Sequence, residues 1–329
     1  MRLTDDQRTI QQLARDFAES ELAPIAARID QEERIPKEII EKMAEIGFTA
    51  LNVPEAYGGP ELDTVCKVLV VSELAKKCAS TAEVIAVHTL VNDIFLKHGT
   101  EAQKEKYLTA AVEGKIGAFA LTDPEKGTKG MSAIVVDRGT PGFTVGKREE
   151  KLGIRGADIS ELIFEDCRVP RSNLIGQEGE GFKIAMAALD GGRIGMAAQG
   201  LGIADAAIEA SIKYMKERVQ FGKPIAKLQG LQWYLADMAT RTEAARALVY
   251  EAACAADSGE PLSKLAAMCK YYASENAVWV TNKALQIHGG YGYMRDYPIE
   301  RMYRDARIVP IYEGTSEIQK VVISRELLK

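Results

Sequence analysis

The sequence predicts a mainly α-helical protein carrying a small β insert. Three observations lead there. Apolar residues recur at helical spacing over residues 4–115 and again from Glu180 onward. Between them, over about residues 116–169, short runs of apolar, β-branched and aromatic residues are punctuated by Gly, Pro and Asp. The helical stretches also carry start and stop signals at plausible places. The order implies an N-terminal helical domain over 1–115, a shortened middle β domain over 116–176 and a C-terminal helical bundle over 177–329.

The elements follow in turn. Thr4-Asp5-Asp6-Gln7 is a capping box, and Leu13, Phe17 and Leu22 recur near helical period behind it. Pro36 starts a second helix at a position where its missing N–H is no loss, and Ile39, Ile40 and Met43 give that helix an apolar face. Gly58-Gly59-Pro60 is a loop, followed by helices over about 61–78 and 81–97. Thr100-Glu101-Ala102-Gln103 is a second capping box, opening a helix that ends near Gly114. Strands are expected over 116–121, 131–136, 143–146 and 162–164, as the only β region of the chain. Long helices follow over about 180–216, 227–257 and 262–288, with a last one over 316–327. Their Ala-rich faces, including Ala185, Ala188, Ala197, Ala198, Ala204 and Ala207, suit close antiparallel packing.

Composition narrows the function. The chain has 329 residues, 47% hydrophobic and 27% charged, an ordinary globular balance that can bury a substantial core. A net charge of −5 leaves no basic stripe, which argues against nucleic acid. No apolar run reaches membrane-spanning length, and the N-terminus carries neither a signal nor a transit pattern, so a cytoplasmic location is expected. Cys66, Cys78, Cys167, Cys254 and Cys269 form no C-x-x-C and are odd in number, as reduced buried thiols would be. His88, His98 and His288 are too scattered for a metal site.

Four segments stand out. Glu313, in Tyr312-Glu313-Gly314-Thr315, precedes the last helix among apolar neighbours (Ile308, Val309, Ile311). A carboxylate in a partly dry cleft has a raised pKa and is a better base, and Gly314 lets the backbone approach a ligand. Read alone, however, such a residue is a surface loop acid. Glu217-Arg218-Val219-Gln220-Phe221-Gly222 ends a helix, where Arg218 is either a solvated cation at the dipole's negative end or a phosphate ligand. Gln286-Ile287-His288-Gly289-Gly290-Tyr291-Gly292 is a glycine-rich helix stop with more glycine than a stop requires. Asp190-Gly191-Gly192-Arg193 sets two glycines inside a helix at a cost of about 2 kcal/mol against alanine, which close helix packing or a ligand would justify.

These four segments, in this order and spacing, resemble the acyl-CoA dehydrogenase family, its short-chain, butyryl-CoA type most closely. The resemblance implies a reduced β-barrel-like middle domain and a C-terminal four-helix bundle. It implies FAD as cofactor, Glu313 as the base that removes the α-proton of an acyl thioester, and hydride transfer from the β-carbon to the flavin. The product would be the trans-2-enoyl-CoA, with electrons passing to an electron-transferring flavoprotein. The thioester carbonyl would meet the Glu313 N–H. Flavin contacts would come from Leu121, Thr122, Arg218, Phe221, Gln229, Gln286, Gly289, Gly290, Thr315 and Glu317, and CoA-ester contacts from Asp190, Arg193 and Gly314. Because the Arg218 segment reaches a neighbouring subunit's flavin in that family, the resemblance also implies a homotetramer built as a dimer of dimers. Gly191-Gly192 stand where some relatives carry their catalytic Glu, which leaves Glu313 as the one base.

The chain departs from the family pattern after Leu121-Thr122-Asp123-Pro124. It passes directly to Glu125-Lys126-Gly127-Thr128-Lys129-Gly130, without the stretch of about fifty residues that the family places there, a large part of a small domain. The Gly-x-Gly-(Ser/Thr)-Asp continuation and the Trp-Ile-Thr strand that face the flavin are absent, and the only tryptophans are Trp233 and Trp279. Three readings stand: a working short-chain acyl-CoA dehydrogenase, a degenerate non-catalytic acyl-CoA-binding or assembly protein with impaired flavin binding, or a chain from which the segment has been removed. On the second reading the lost strands leave exposed sheet edges and strip the flavin of backbone donors.

Overall fold

The computed structural model describes residues 2–112, 119–120 and 127–329. Six helices come first: α1 (Asp5–Phe17), α2 (Ala26–Glu32), α3 (Lys37–Glu45), α4 (Thr64–Lys77), α5 (Ala79–His98) and α6 (Glu101–Val112). Both capping boxes form. Thr4 Oγ1 accepts from Gln7 N at 3.1 Å while Gln7 Oε1 accepts from Thr4 N at 3.1 Å, and Thr100 and Gln103 repeat the exchange at 3.3 and 3.0 Å. Pro36 takes the cap position of α3. The expected 61–78 helix starts later, because Asp63 caps it by accepting from Cys66 N at 2.6 Å.

The middle region is sparse. β1 (Phe119–Ala120), β2 (Ala133–Val135), β3 (Phe143–Arg148), β4 (Ser160–Phe164) and β5 (Leu174–Ile175) make an antiparallel sheet in the order β1-β2-β5 and a separate β3–β4 hairpin. The hairpin stacks Phe143 on Phe164 at 5.0 Å, yet exposes Val145, Leu162 and Phe164. The expected end of α6 near Gly114 and most of the 116–121 run lie outside the described residues.

A short loop is one of the ties that hold this region to the helices. Ile154 N donates to the buried Asp305 carboxylate at 2.5 Å, and Gly156 N donates to Ser80 Oγ at 3.2 Å. A Cβ on Gly153 would lie 2.3 Å from the Arg304 carbonyl oxygen, so only glycine fits that crossing. Arg304 also donates to the Leu152 carbonyl and pairs with Asp30 at 2.7 Å, tying the N-terminal helices to the same point.

The C-terminal half holds α7 (Gly181–Glu217), a two-residue ladder of β6 (Val219–Gln220) and β7 (Lys223–Pro224), then α8 (Gln229–Asp257), α9 (Ser263–His288), α10 (Ile299–Ala306) and α11 (Ser316–Leu327). The β6–β7 ladder is a second β region that the sequence reading did not foresee. Helices α7, α8 and α11 pack around α9 as a bundle, and α4 and α5 lie along α7. One core therefore runs through both helical halves, from Leu69, Leu74 and Ile85 to Ala197, Leu201, Ala245 and Ala273. The Ala-rich faces serve that contact: Gly202 could not take a Cβ without meeting the Ser72 carbonyl at 2.2 Å.

Candidate active site

Helix α9 ends at His288, and a loop running past α10 brings the chain back to Glu313. Glu313 and Gly314 both take positive φ, 52° and 89°, between α10 and α11. For a glutamate that conformation costs about 1–2 kcal/mol and is held by its surroundings. Three donor contacts hold it here. Lys270 Nζ donates to the Gly314 carbonyl at 2.7 Å, and Gln319 Nε2 donates to the same oxygen at 2.9 Å and to the Glu313 carbonyl at 3.2 Å. Thr315 caps α11, and Ser316 Oγ donates to Glu275 at 2.5 Å.

The Glu313 carboxyl is enclosed, and its Oε2 has no hydrogen-bond partner among the described residues. Burial pushes its pKa up, against the opposing pull of Arg193 and Lys270. Its N–H finds no acceptor among the described residues either. A carboxyl with a free oxygen thus sits beside an unused backbone donor.

Gly192 faces that carboxyl. A Cβ at this position would lie 2.7 Å from Glu313 Oε2 and 2.5 Å from Leu90 Cδ1. Gly192 is therefore needed where Glu313 closes against α5, whereas a Cβ on Gly191 would meet only the Asp93 carboxylate, at 3.3 Å. Gly192→Ala should keep the fold, since helix propensity favours alanine by about 1 kcal/mol. It should lower turnover at least about tenfold by displacing the carboxyl, and a melting curve beside a rate measurement checks both halves.

Asp190 and Arg193 stand one turn apart on α7 and pair at 2.5 Å, with Ser263 Oγ on the other Asp190 oxygen at 2.6 Å. Arg193 is buried and its Nε is unpartnered, so its charge faces the interior near Glu313. Lys270 was not foreseen. It is fully buried, and burial lowers its pKa to about 8. The signal was present: a lone lysine among Ala266, Cys269, Ala273 and Ala277 occupies a core position of α9.

A second site lies at the other end of α9. Arg218, Phe221, Gln286, Gly289 and Gly290 line one groove of about 540 Å³ with Tyr214 and Tyr291. Phe221 is 86% exposed at φ 51°. Arg218 lies over the Tyr291 ring at 5.2 Å and has no acidic partner among the described residues. Neither Gly289 nor Gly290 has an atom within 4 Å of where its Cβ would be. An unpaired guanidinium beside open backbone fits an anionic dinucleotide. Gln229, the first residue of α8, is exposed beside this groove without lining it. His288 is buried instead, stacked on Tyr214 at 4.3 Å, with Nδ1 against the Ala284 carbonyl at 2.8 Å. Sixteen residues of α9 separate Lys270 from Gln286, about 24 Å at 1.5 Å per residue. The structure therefore brings the predicted residues together as two groups. Leu121 and Thr122 lie outside the described residues, and Glu317 is exposed in the first turn of α11.

The sequence matches three family models in order. They are described as acyl-CoA dehydrogenase, N-terminal domain (residues 4–115), middle domain (97–167) and C-terminal domain (179–328). The chain belongs to the acyl-CoA dehydrogenase family. Among relatives of known name, the acryloyl-CoA reductase (NADH) of Anaerotignum propionicum is 52% identical over 376 residues, covering 99% of this chain and 95% of that protein. Among solved structures, butyryl-CoA dehydrogenase from Megasphaera elsdenii superposes with a TM-score of 0.96 at 41% identity, covering 100% of both chains. A chain described as electron transferring flavoprotein of Acidaminococcus fermentans superposes with a TM-score of 0.97 at 43% identity, covering 100% of this chain and 99% of that one. The family is FAD-dependent. The groove at Arg218 and the unsatisfied carboxyl of Glu313 both fit such a family member. An alignment of 376 positions against 329 residues leaves at least 376 − 329 = 47 positions of the reductase without a counterpart.

None of the five cysteines forms a disulfide; Cys66, Cys78 and Cys269 are buried, while Cys167 and Cys254 are half-buried. Among the described residues no group of His, Cys, Asp and Glu could hold a metal, and no helix is long and apolar enough to cross a membrane.

Proposed function

We propose that the chain catalyses the α,β-dehydrogenation of a short-chain acyl-CoA, with Glu313 as base. Flavin-dependent acyl-CoA dehydrogenation is the activity of the family to which it belongs. The single observation that carries the finer reading is the enclosed Glu313 carboxyl, its Oε2 unpartnered, beside an unused N–H. A thioester whose carbonyl accepts from the Glu313 N–H would have its α-carbon beside the same residue's carboxylate. The N–H would stabilise the enolate charge that develops as the α-proton leaves. Gly192 leaves room for the Glu313 carboxyl itself, and Lys270 with Gln319 keeps the loop from relaxing out of its positive-φ conformation. FAD, when bound, supplies the acceptor for the β-hydride.

Arg218, Phe221, Gln286, Gly289 and Gly290 would hold the dinucleotide part. The distance of about 24 Å along α9 between this groove and the Glu313 loop supports its serving the flavin of a second copy, and hence a homotetramer. Asp190, Arg193 and Gly314 would meet the CoA ester, and Gln229, Thr315 and Glu317 the flavin. The same site could run towards reduction, as the name of the Anaerotignum relative describes for that protein. The Acidaminococcus match supports an electron-transferring flavoprotein as the redox partner.

The missing 47 positions and the exposed β3–β4 hairpin favour a second reading, a chain that binds CoA esters without holding flavin. The absorbance spectrum of the purified protein with added FAD, before and after anaerobic butyryl-CoA, separates them. A flavin band that bleaches is the expected result. A colourless protein that still binds CoA esters would establish the second reading.

A further inference from the structure

We propose that Gln199 is a positioning residue for the base: by holding the Tyr312 hydroxyl it fixes where Glu313 stands against α7. The inference rests on the reading of Glu313 as the base.

Helix α7 meets the Glu313 segment at two levels. At Gly192 the Glu313 carboxyl closes against the helix, where a Cβ would lie 2.7 Å from Oε2. Gln199 follows two turns later, on the same face and about 10 Å along the axis. There the Tyr312 hydroxyl donates to Gln199 Oε1, and Tyr312 is the residue before Glu313. Gln199 is itself locked. It is fully buried, and its Nε2 donates at 2.9 Å to the carbonyl of Ala79, the first residue of α5. With the nitrogen committed to α5, the amide can turn only its oxygen to Tyr312. One glutamine thus joins α5, α7 and the segment that carries Glu313.

The other ties on this segment act elsewhere. Ile311 N and Tyr312 N donate to the Ile308 carbonyl at 2.8 and 3.2 Å, which shapes the turn without attaching it to α7. Lys270 and Gln319 act on the carbonyls of Glu313 and Gly314, on the other side of the base. Among the described residues, the Tyr312 hydroxyl makes the one hydrogen bond from residues 308–313 to α7. Glu83 is close enough to interact with the same hydroxyl, yet the phenol's one proton is directed at Gln199. Burial, with the Glu83 charge adding to it, holds the phenol pKa well above its ordinary value, so Tyr312 stays a donor. Without this contact the ring is free to shift and to carry Glu313 with it. A displacement of about 1 Å at a reacting group can cost about 10²-fold in rate.

The test uses the FAD-loaded protein. Anaerobic flavin bleaching by butyryl-CoA gives the rate, calorimetry the ester affinity, and amide hydrogen exchange the looseness of the segment. Tyr312→Phe removes one oxygen and keeps the ring. It should lower the bleaching rate about tenfold or more, with ester affinity within about threefold. Gln199→Met should do the same. The double variant should be no slower than the slower single one, because Gln199 acts through the hydroxyl alone. Exchange at the Ile311, Tyr312 and Ser316 amides, which donate to the Ile308 and Pro310 carbonyls, should quicken while that of α9 stays unchanged. An unchanged rate in Tyr312→Phe overturns the assignment, and this variant decides the matter even where Gln199→Met does not fold. Losses that multiply in the double variant overturn it too. Glu313→Gln, measured in parallel, separates the two readings. If it is inactive while Tyr312→Phe is unimpaired, Glu313 keeps its role and Gln199 loses its own. If Glu313→Gln bleaches at the wild-type rate, the base reading falls, and the positioning role falls with it.

Discussion

Glu313→Gln is expected to lower turnover about 10³-fold or more while CoA-ester affinity stays within about threefold, because general-base catalysis contributes that much and the amide keeps the shape. The Gln side chain fills the space that Gly192 leaves, and the backbone N–H that would hold the thioester carbonyl is untouched. Only the proton acceptor goes. The pH profile of the wild-type protein carries the same signature. In the proposed role Glu313 acts as the carboxylate, and burial raises its pKa above the ordinary range. The rate should therefore climb with pH through a limb placed above that of a solvated carboxylate, and Glu313→Gln should erase the limb. Loss of ester binding to the same degree as loss of turnover would remove Glu313 from the base role.

Much of this site was legible because its residues sit in loops and helix ends, where composition is unusual. Glu313 next to glycine, Arg218 at a helix end and Gly289-Gly290 after a long helix are local patterns. The long helices were equally readable: α7, α8, α9 and α11 fall within about two residues of their expected ends, since caps and glycines mark them. Helix α2 escaped because its C-terminus is Glu33 at φ 56°, with no glycine to announce it. Helix α10 escaped because eight residues give too few turns for a period to emerge. Strand β5, two residues long, gives no alternation at all.

What escaped at the site shares one physical cause. Lys270, Gln199 and Glu83 are polar residues inside long core helices, and their meaning comes from what lies across the helix interface. Gln199 bridges the Ala79 carbonyl and Tyr312, two segments more than a hundred residues away in sequence. Glu83 comes within reach of Tyr312 and Glu313 only because α5 packs along α7. The exposed hairpin is the converse case. Val145, Leu162 and Phe164 read as ordinary strand residues, yet they stand exposed in a chain at least 47 positions shorter than its alignment with the relative.

Lys270→Met carries the largest expected effect away from Glu313 itself. The ammonium is fully buried, and its hydrogen bond to the Gly314 carbonyl holds the loop at its positive-φ glycine. Methionine matches the length of the stem but donates nothing. Gln319 Nε2 remains on the same carbonyl at 2.9 Å, so that oxygen keeps one donor. Two terms then oppose each other in stability. Removing a buried cation lifts a desolvation cost, the one that lowers the Lys270 pKa to about 8. Losing a charge-assisted hydrogen bond costs about 1.5–3 kcal/mol. Near pH 7, where the amine is still charged, the two nearly cancel, and the melting temperature should move by only a few degrees.

Activity has no such cancellation. Lys270 is one of two cations that hold the Glu313 pKa down against burial. Without it that pKa rises, and the acid limb of the rate should move to higher pH. The shift should vanish above pH 8 or so, where the wild-type amine is itself neutral and the two proteins differ only in how firmly the loop is held. Lys270→Arg keeps the charge and restores the limb if the cavity admits a guanidinium. A Met variant with an unshifted limb and an unchanged rate would make Lys270 a packing residue, and the loop's conformation would then rest on Gln319 alone.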